Sequence, residues 1–180
     1  PLHSELATFL SHSKWLPTKS IQPQFTMVLP LSSSLDDILL GMHQKTRYNI
    51  HLSEKKGLAV KQAIDRETLD IFWKLLEETS TREAISMYDF SYYRKLLNIL
   101  GDGAAVPSKR HAVVKLSLVS YGETALSSAI IVLFGNTVYY LYGVSGNEQR
   151  NLMGNYFMHW NIISWAQEHG YKYYDFWGVK

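Results

Sequence analysis

TVYYLYGVSGNEQRNLMGNYFMHWNIISWAQEHGYKYYDFWGV, residues 137–179, decides how the rest of the chain is read. Thr137-Val-Tyr-Tyr-Leu-Tyr142 is a β-branched and aromatic run, the composition of a strand. Gly143-Val-Ser-Gly-Asn-Glu-Gln-Arg150 is a turn-rich connector ending in one cation. Tyr156, Trp160, Ile163 and Ala166 then recur at offsets of four, three and three, which lays them along one helical face. Gly170 is placed to end that helix, because glycine takes the left-handed C′ conformation without a Cβ penalty. Residues 171–179 form a second aromatic run. A strand that re-enters its sheet through a helix is expected to be parallel and right-handed. Such a unit leaves backbone donors and a helix N-terminus at the carboxyl end of its first strand, a seat for an anion or an acyl group.

Moving upstream, residues 125–134 and 112–119 read as two strands joined across Tyr121-Gly122-Glu123, and Gly135-Asn136 gives a tight hairpin into Thr137. Residues 101–110 read as a loop. Asp89 can cap a helix with Phe90, Tyr93, Leu97 and Leu100 inward and Gly101 at its end. Asp65 can cap another, with Leu69, Phe72, Trp73 and Leu76 on one face. Residues 58–64 alternate as a strand. The order is therefore strand, two helices, three-stranded antiparallel meander, helix, strand. This is an α+β arrangement with a mixed sheet.

The first 24 residues carry little pattern. Leu6, Phe9 and Leu10 could line a short helix, and Pro17 and Pro23 mark loops. Residues 25–31 suit a strand that Pro30 confines to an edge or an end. Ser34 followed by Asp37 resembles a capping box, and Leu35, Ile38, Leu39 and Met42 continue at helical spacing. One helix is expected over residues 35–56, stopped by Gly57. The chain divides near Leu58, with 1–57 as the end of one domain plus a linker helix and 58–180 as a second domain. Pro1 and Lys180 look like cut ends, so a piece of a longer chain is expected, its second domain truncated and its last strand left as an open edge.

Composition narrows the function. A chain of 180 residues with 46 % hydrophobic and 13 % aromatic residues is globular. A net charge of +2 excludes a general nucleic-acid sponge and leaves local charge as the informative quantity. The absence of cysteine excludes thiol nucleophiles, disulfides and cysteine-ligated zinc, and the seven histidines lack metal-ligand spacing. No apolar run approaches the ~20 residues needed to span a bilayer. The local charge lies between residues 44 and 62, where Lys45, Arg47, Lys55, Lys56 and Lys61 face one acid, Glu54. Such a run suits either a solvated helix face or a phosphate-binding helix, and Tyr48 and Asn49 beside Arg47 suit the second.

The element order resembles the GNAT acyltransferase core. The glycine-rich coenzyme A loop of that group corresponds here to Gln149-Arg150-Asn151-Leu152-Met153-Gly154-Asn155, which has the arginine but one glycine. That departure argues against an ordinary acetyl-CoA enzyme. Three separated motifs resemble the FemABX family more specifically. They are Lys45-Thr46-Arg47-Tyr48-Asn49-Ile50 with Lys55-Lys56-Gly57, then Tyr140-Leu141-Tyr142-Gly143 with Arg150-Asn151-Leu152-Met153 and Asn155-Tyr156, and last Tyr173-Tyr174-Asp175-Phe176-Trp177-Gly178. One departure is Gly154, where a proline is common, which would loosen the helix start.

The resemblance implies two GNAT-like domains and transfer of an amino acid from aminoacyl-tRNA to the stem peptide of a peptidoglycan precursor, lipid II or a UDP-muramyl-peptide. It implies no metal and no cofactor beyond aminoacyl-tRNA as co-substrate. The implied place of work is the cytoplasm, close to the inner membrane face. Candidate substrate-binding residues are Lys45, Arg47, Tyr48, Tyr142, Arg150, Asn155, Tyr156 and Trp177. Arg150 and Asp175 are the candidate catalytic groups, with a surface arginine and a structural tie as their plain alternatives. Two other classes stay open: a CoA-dependent GNAT N-acetyltransferase, and a non-catalytic module that binds anions or nucleic acid through residues 45–61.

Overall fold

The computed structural model describes residues 4–13, 15, 23–63, 65–101 and 111–178. In chain order the elements are α1 (Ser4–His12), β1 (Thr26–Pro30), α2 (Leu35–Gly41), α3 (Gln44–Lys55), β2 (Ala59–Gln62), α4 (Arg66–Glu83), α5 (Phe90–Leu100), β3 (Val113–Tyr121), β4 (Thr124–Phe134), β5 (Thr137–Ser145), α6 (Gly154–Glu168) and β6 (Tyr173–Gly178). A single 3-10 turn, Arg150–Leu152, precedes α6. Residues 102–110 of the expected loop, Pro17 and the last two residues lie outside the described residues.

Six strands form one sheet in the order β1-β6-β5-β4-β3-β2. Every neighbouring pair is antiparallel except β5 and β6, which are parallel as the strand–helix–strand pattern requires. The hairpin at Gly135-Asn136 is present, with Gly135 at φ 61. One face of the sheet carries α6 over a core of Ile131, Leu133, Val138, Met158, Ile162 and Tyr174. The other carries α4 and α5 over Phe72, Leu76, Tyr93, Val114, Leu116 and Ile130. Asp65 caps α4 by accepting from the Thr68 amide at 2.7 Å. Asp89 stands at the α5 N-cap without a side-chain capping bond.

Three expectations change. First, β5 runs on through Gly143 and Val144 to Ser145, so the connector is shorter than the turn-rich composition suggests. The register slips at Leu141, between the pairs Ile130–Tyr142 and Ile131–Tyr140. That bulge sends Tyr140 to the α6 face and Tyr142 to the α4–α5 face, although simple alternation would put both on one side. Gly143 is required here, because the Tyr140 phenol occupies the place its Cβ would take.

Second, residues 35–56 are two helices. Gly41 ends α2, and Met42 (ψ 155) and His43 (ψ 142) are extended. His43 caps α3, its Nδ1 accepting from the Lys45 amide at 3.1 Å. The Arg47 guanidinium donates to the carbonyls of Leu40 (3.1 Å) and Met42, taking up acceptors that the ended helix leaves unpaired. Ser34 caps α2 as its sequence suggests, and Gly57 closes α3 at φ 75.

Third, the outer edge of β6 is not open, because β1 pairs along it from Thr26 opposite Gly178 to Pro30 opposite Tyr173. Pro30 is therefore at an edge strand, where its missing amide matters least.

Candidate functional site

The two parallel strands pair over three residues, Thr137–Tyr139 against Tyr173–Asp175, and then part. Beyond that point β5 continues with β4 and β6 continues with β1. The fork opens at the carboxyl ends of both strands, where α6 begins. His159 of α6 fills it, its ring centroid 4.3 Å from that of Tyr140 on β5 and 5.4 Å from that of Phe176 on β6. His159 Nδ1 and the Tyr174 hydroxyl share a 2.9 Å hydrogen bond. Burial alone lowers its pKa from 6.5 to about 4, so the ring is neutral at pH 7.

Two cavities flank the first turn of α6. A polar one of about 160 Å³ lies where β5 ends, between Ser145, Glu148, Arg150, Met153 and Gly154. An apolar one of about 770 Å³ lies between β1, the α2–α3 break and α6, with His159 and Phe176 in its wall. Asn155 and Tyr156 line both. The shared wall makes the start of α6 the place where two reactants could meet.

The loop that presents Arg150 is held in an unusual backbone. Gln149 (φ 47) and Met153 (φ 60), on either side of the 3-10 turn, are both left-handed without being glycine. Each such residue costs about 1–2 kcal/mol, and strain of this kind collects at ligand-binding turns. Gly154 then lets α6 start against β4. A Cβ there would stand 3.0 Å from the Leu126 Cβ and 3.3 Å from the Ser127 Oγ. The Ser127 hydroxyl is buried, with no hydrogen-bond partner among the described residues. Far from loosening the helix, Gly154 fits it closely to the sheet.

The sequence candidates separate into groups. Arg150, Asn155 and Tyr156 come together at the polar cavity. Lys45 and Tyr48 are exposed on α3 and line neither cavity, while Arg47 is turned onto the end of α2. Their neighbours His43 and Thr46 do line the apolar cavity. Tyr142 is on the opposite sheet face, its hydroxyl 3.1 Å from that of Tyr92. Asp175 is buried, and its Oδ1 accepts from the Trp177 amide at 2.7 Å and from the Thr26 hydroxyl. It ties β6 to β1 and holds Trp177 at φ 63, with the Trp177 ring edge-on to Tyr139. Within residues 44–55, Arg47 is thus held on the end of α2 and Asn49, Ile50 and Ser53 are buried, beside the exposed Lys45 and Lys55. His159 and Ser127 had no sequence signal, since their settings come from elements distant in sequence, and His43 gave none because a histidine cap is not a usual helix-start residue. Among the described residues no cluster of three His, Asp or Glu could hold a metal ion, and no helix is long and apolar enough to cross a membrane.

A mixed sheet whose central parallel pair forks at the start of a helix places the molecule among the GNAT-like folds. The crystal structure of FemX matches with a TM-score of 0.78 over 98 % of this chain and 60 % of that one, at 22 % identity. The structure of L-PGS from Bacillus licheniformis matches at 0.58 over 89 % of this chain and 47 % of that one, at 11 % identity. At these identities the likeness concerns the fold. The family follows from the sequence, because residues 16–108 and 107–180 match the FemAB family, and the chain belongs to it. The lipid II:glycine glycyltransferase of Staphylococcus aureus is 43 % identical over 136 residues, 72 % of this chain and 30 % of that protein. The enzyme of the same name from Staphylococcus epidermidis strain RP62A is 25 % identical over 88 % of this chain and 51 % of its own length. The chain thus spans about half the length, or less, of the curated relatives it matches.

Proposed function

We propose that this chain is the acyl-transfer part of an aminoacyltransferase that moves an amino acid from aminoacyl-tRNA to the stem peptide of a peptidoglycan precursor. The observation that carries the reading is the pair of cavities sharing Asn155 and Tyr156 at the head of α6, in a member of the FemAB family. In the reaction the neutral stem-peptide amine attacks the ester carbonyl of the aminoacyl-tRNA. The new C–N bond forms, the ester C–O bond breaks, and the ribose hydroxyl leaves with the proton given up by the amine. The ester is already activated, so the protein's share is proximity and stabilisation of the developing oxyanion. The α6 N-terminus and Arg150 lie on the polar side, where that charge would form. In this reading residues 1–57 include the end of a first GNAT-like domain, although β1 within them belongs to the sheet of the second, and the lipid-linked precursor is met at the cytoplasmic membrane face.

The test is an assay of the full-length gene product with aminoacyl-tRNA and either lipid II or a UDP-muramyl-pentapeptide. Amide-linked amino acid on the stem peptide is the expected product. Consumption of acetyl-CoA in its place would overturn the reading in favour of an ordinary GNAT enzyme. The present 180 residues alone are expected to transfer nothing, because proximity catalysis loses about a hundredfold for a ~1 Å misplacement.

A further inference from the structure

On the sheet face away from α6 stands an aromatic group that the reaction just described does not use. Tyr88 and Tyr92 stack face to face, ring centroids 4.3 Å apart and planes 28° from parallel. Both are exposed, at 50 % and 38 %. The stack is rigid. Tyr93, buried beneath, meets Tyr92 edge-on at 5.3 Å, and the Tyr92 hydroxyl is pinned to that of Tyr142. Tyr88 precedes α5 by two residues, Tyr92 lies in its first turn, and exposed Lys95 follows three residues later on the same helical stripe. Lys95 enters none of the ion pairs among the described residues.

The strand beneath the stack leads on to the polar cavity. Tyr142 lies on β5 three residues before Ser145, which lines that cavity, a separation of about 10 Å along a strand. The end of α4, which leads into Tyr88, is fastened to the same point. Arg82 donates to the Ser145 carbonyl at 3.0 Å and to its hydroxyl at 2.9 Å. Flat rings, a nearby cation and a short path to the acyl site suit unpaired nucleotides better than a peptide or a lipid. Every base offers a π face, and base–aromatic stacking tolerates any sequence.

We propose that the Tyr88–Tyr92 stack seats an unpaired base of the RNA donor, with Lys95 on its backbone phosphate, while the ester end reaches the polar cavity. The proposal rests on the aminoacyl-tRNA reading above and gives the donor its place. The probe is a single-stranded RNA ending in CCA with 2-aminopurine near its 3′ end, titrated into the 180-residue chain. Quenching on binding is expected, and about tenfold weaker binding for Tyr88→Ala or Tyr92→Ala. Tyr88→Phe should bind as the parent, and Lys95→Ala should reduce the salt slope by about one. Near-ultraviolet circular dichroism separates these losses from misfolding. RNA binding unchanged in correctly folded alanine variants, or no binding by the parent chain, would overturn the proposal. In the full-length enzyme, variants that raise KM for the acceptor and leave KM for aminoacyl-tRNA alone would overturn this placement without touching the proposed reaction. An enzyme that does not use aminoacyl-tRNA would overturn both.

Discussion

His159 holds its ring between Tyr140 and Phe176 and stays uncharged at pH 7 because burial disfavours the imidazolium. Its folded pKa, about 4, lies below the ordinary 6.5, so the unfolded chain binds the proton more readily between those values. Its contribution to stability is therefore whole above about pH 6.5 and is lost as the pH falls towards 4, by up to about 3 kcal/mol. Urea unfolding across that window should show the loss in the parent and a smaller one in His159→Phe, which keeps the ring contacts. An unchanged pH dependence in the variant would place the acid sensitivity elsewhere. At Asp175 one oxygen serves both Thr26 and the Trp177 amide. Asp175→Ala leaves the Trp177 amide without an acceptor, while the Thr26 hydroxyl keeps the Trp177 carbonyl at 2.7 Å, and should lower stability by about 1–3 kcal/mol. The two residues differ in how far the sequence exposes them. A carboxylate inside Tyr-Tyr-Asp-Phe-Trp announces itself, because burying it demands hydrogen bonds. A histidine inside an aromatic helix announces nothing, since the fork that buries it is made by strands on either side of α6 in sequence.

Among the elements, the α2–α3 break shows where periodicity misleads. Leu35, Ile38, Leu39 and Met42 continue at helical spacing into residues 44–56, so the pattern reads as one helix. Gly41, a weak helix residue, and the capping side chain of His43 divide it, and Arg47 closes the gap by binding two carbonyls from the far side. Arg47 and Lys45 are then separable by experiment. Arg47→Ala should reduce thermal stability by about 2 kcal/mol, through carbonyls left without a donor. Lys45→Ala, at an exposed position, should change stability by less than about 0.5 kcal/mol. If α3 serves precursor phosphates, Lys45→Ala should still weaken precursor binding by about 1.5–3 kcal/mol in the full-length enzyme. Unchanged affinity in a calorimetric titration would make α3 a linker and nothing more. The strand–helix–strand unit and the two helices before β3 were legible because cap, period and terminal glycine agree. The bulge at Leu141 was not, because a one-residue slip leaves composition untouched.

For the whole molecule, the decisive fact is that the first strand closes the sheet beside the last. The meander and the parallel pair could be ordered from local pattern, whereas residues 25–31 offered a strand with no stated partner. Only the fold supplies β6 as that partner. Among the described residues the sheet edges are consequently β1 and β2, five and four residues long, one carrying Pro30 and the other Lys61. Short edges with proline and lysine resist pairing with other chains. Removing residues 1–31 would strip that protection and bare β6, with its aromatic run, to solvent. Light scattering should find the shortened chain self-associated and the 180-residue chain monodisperse. Association of the longer chain to the same degree would contradict the protective role of β1.

The pairing of Thr26 with Gly178 also has a meaning in time. Everything between β1 and β6 must be made before β1 can find its neighbour. At about 5–20 residues per second, synthesis leaves that strand unpartnered for roughly 10–30 s. The meander and its helices can settle within far less than that, since their contacts are close in sequence. Of the six strands of this sheet, the first to be made is thus the last to be docked, and the long separation between the partners makes it the first to come away. Amide exchange should record this as weaker protection of β1 and the outer side of β6 than of β3 and β4.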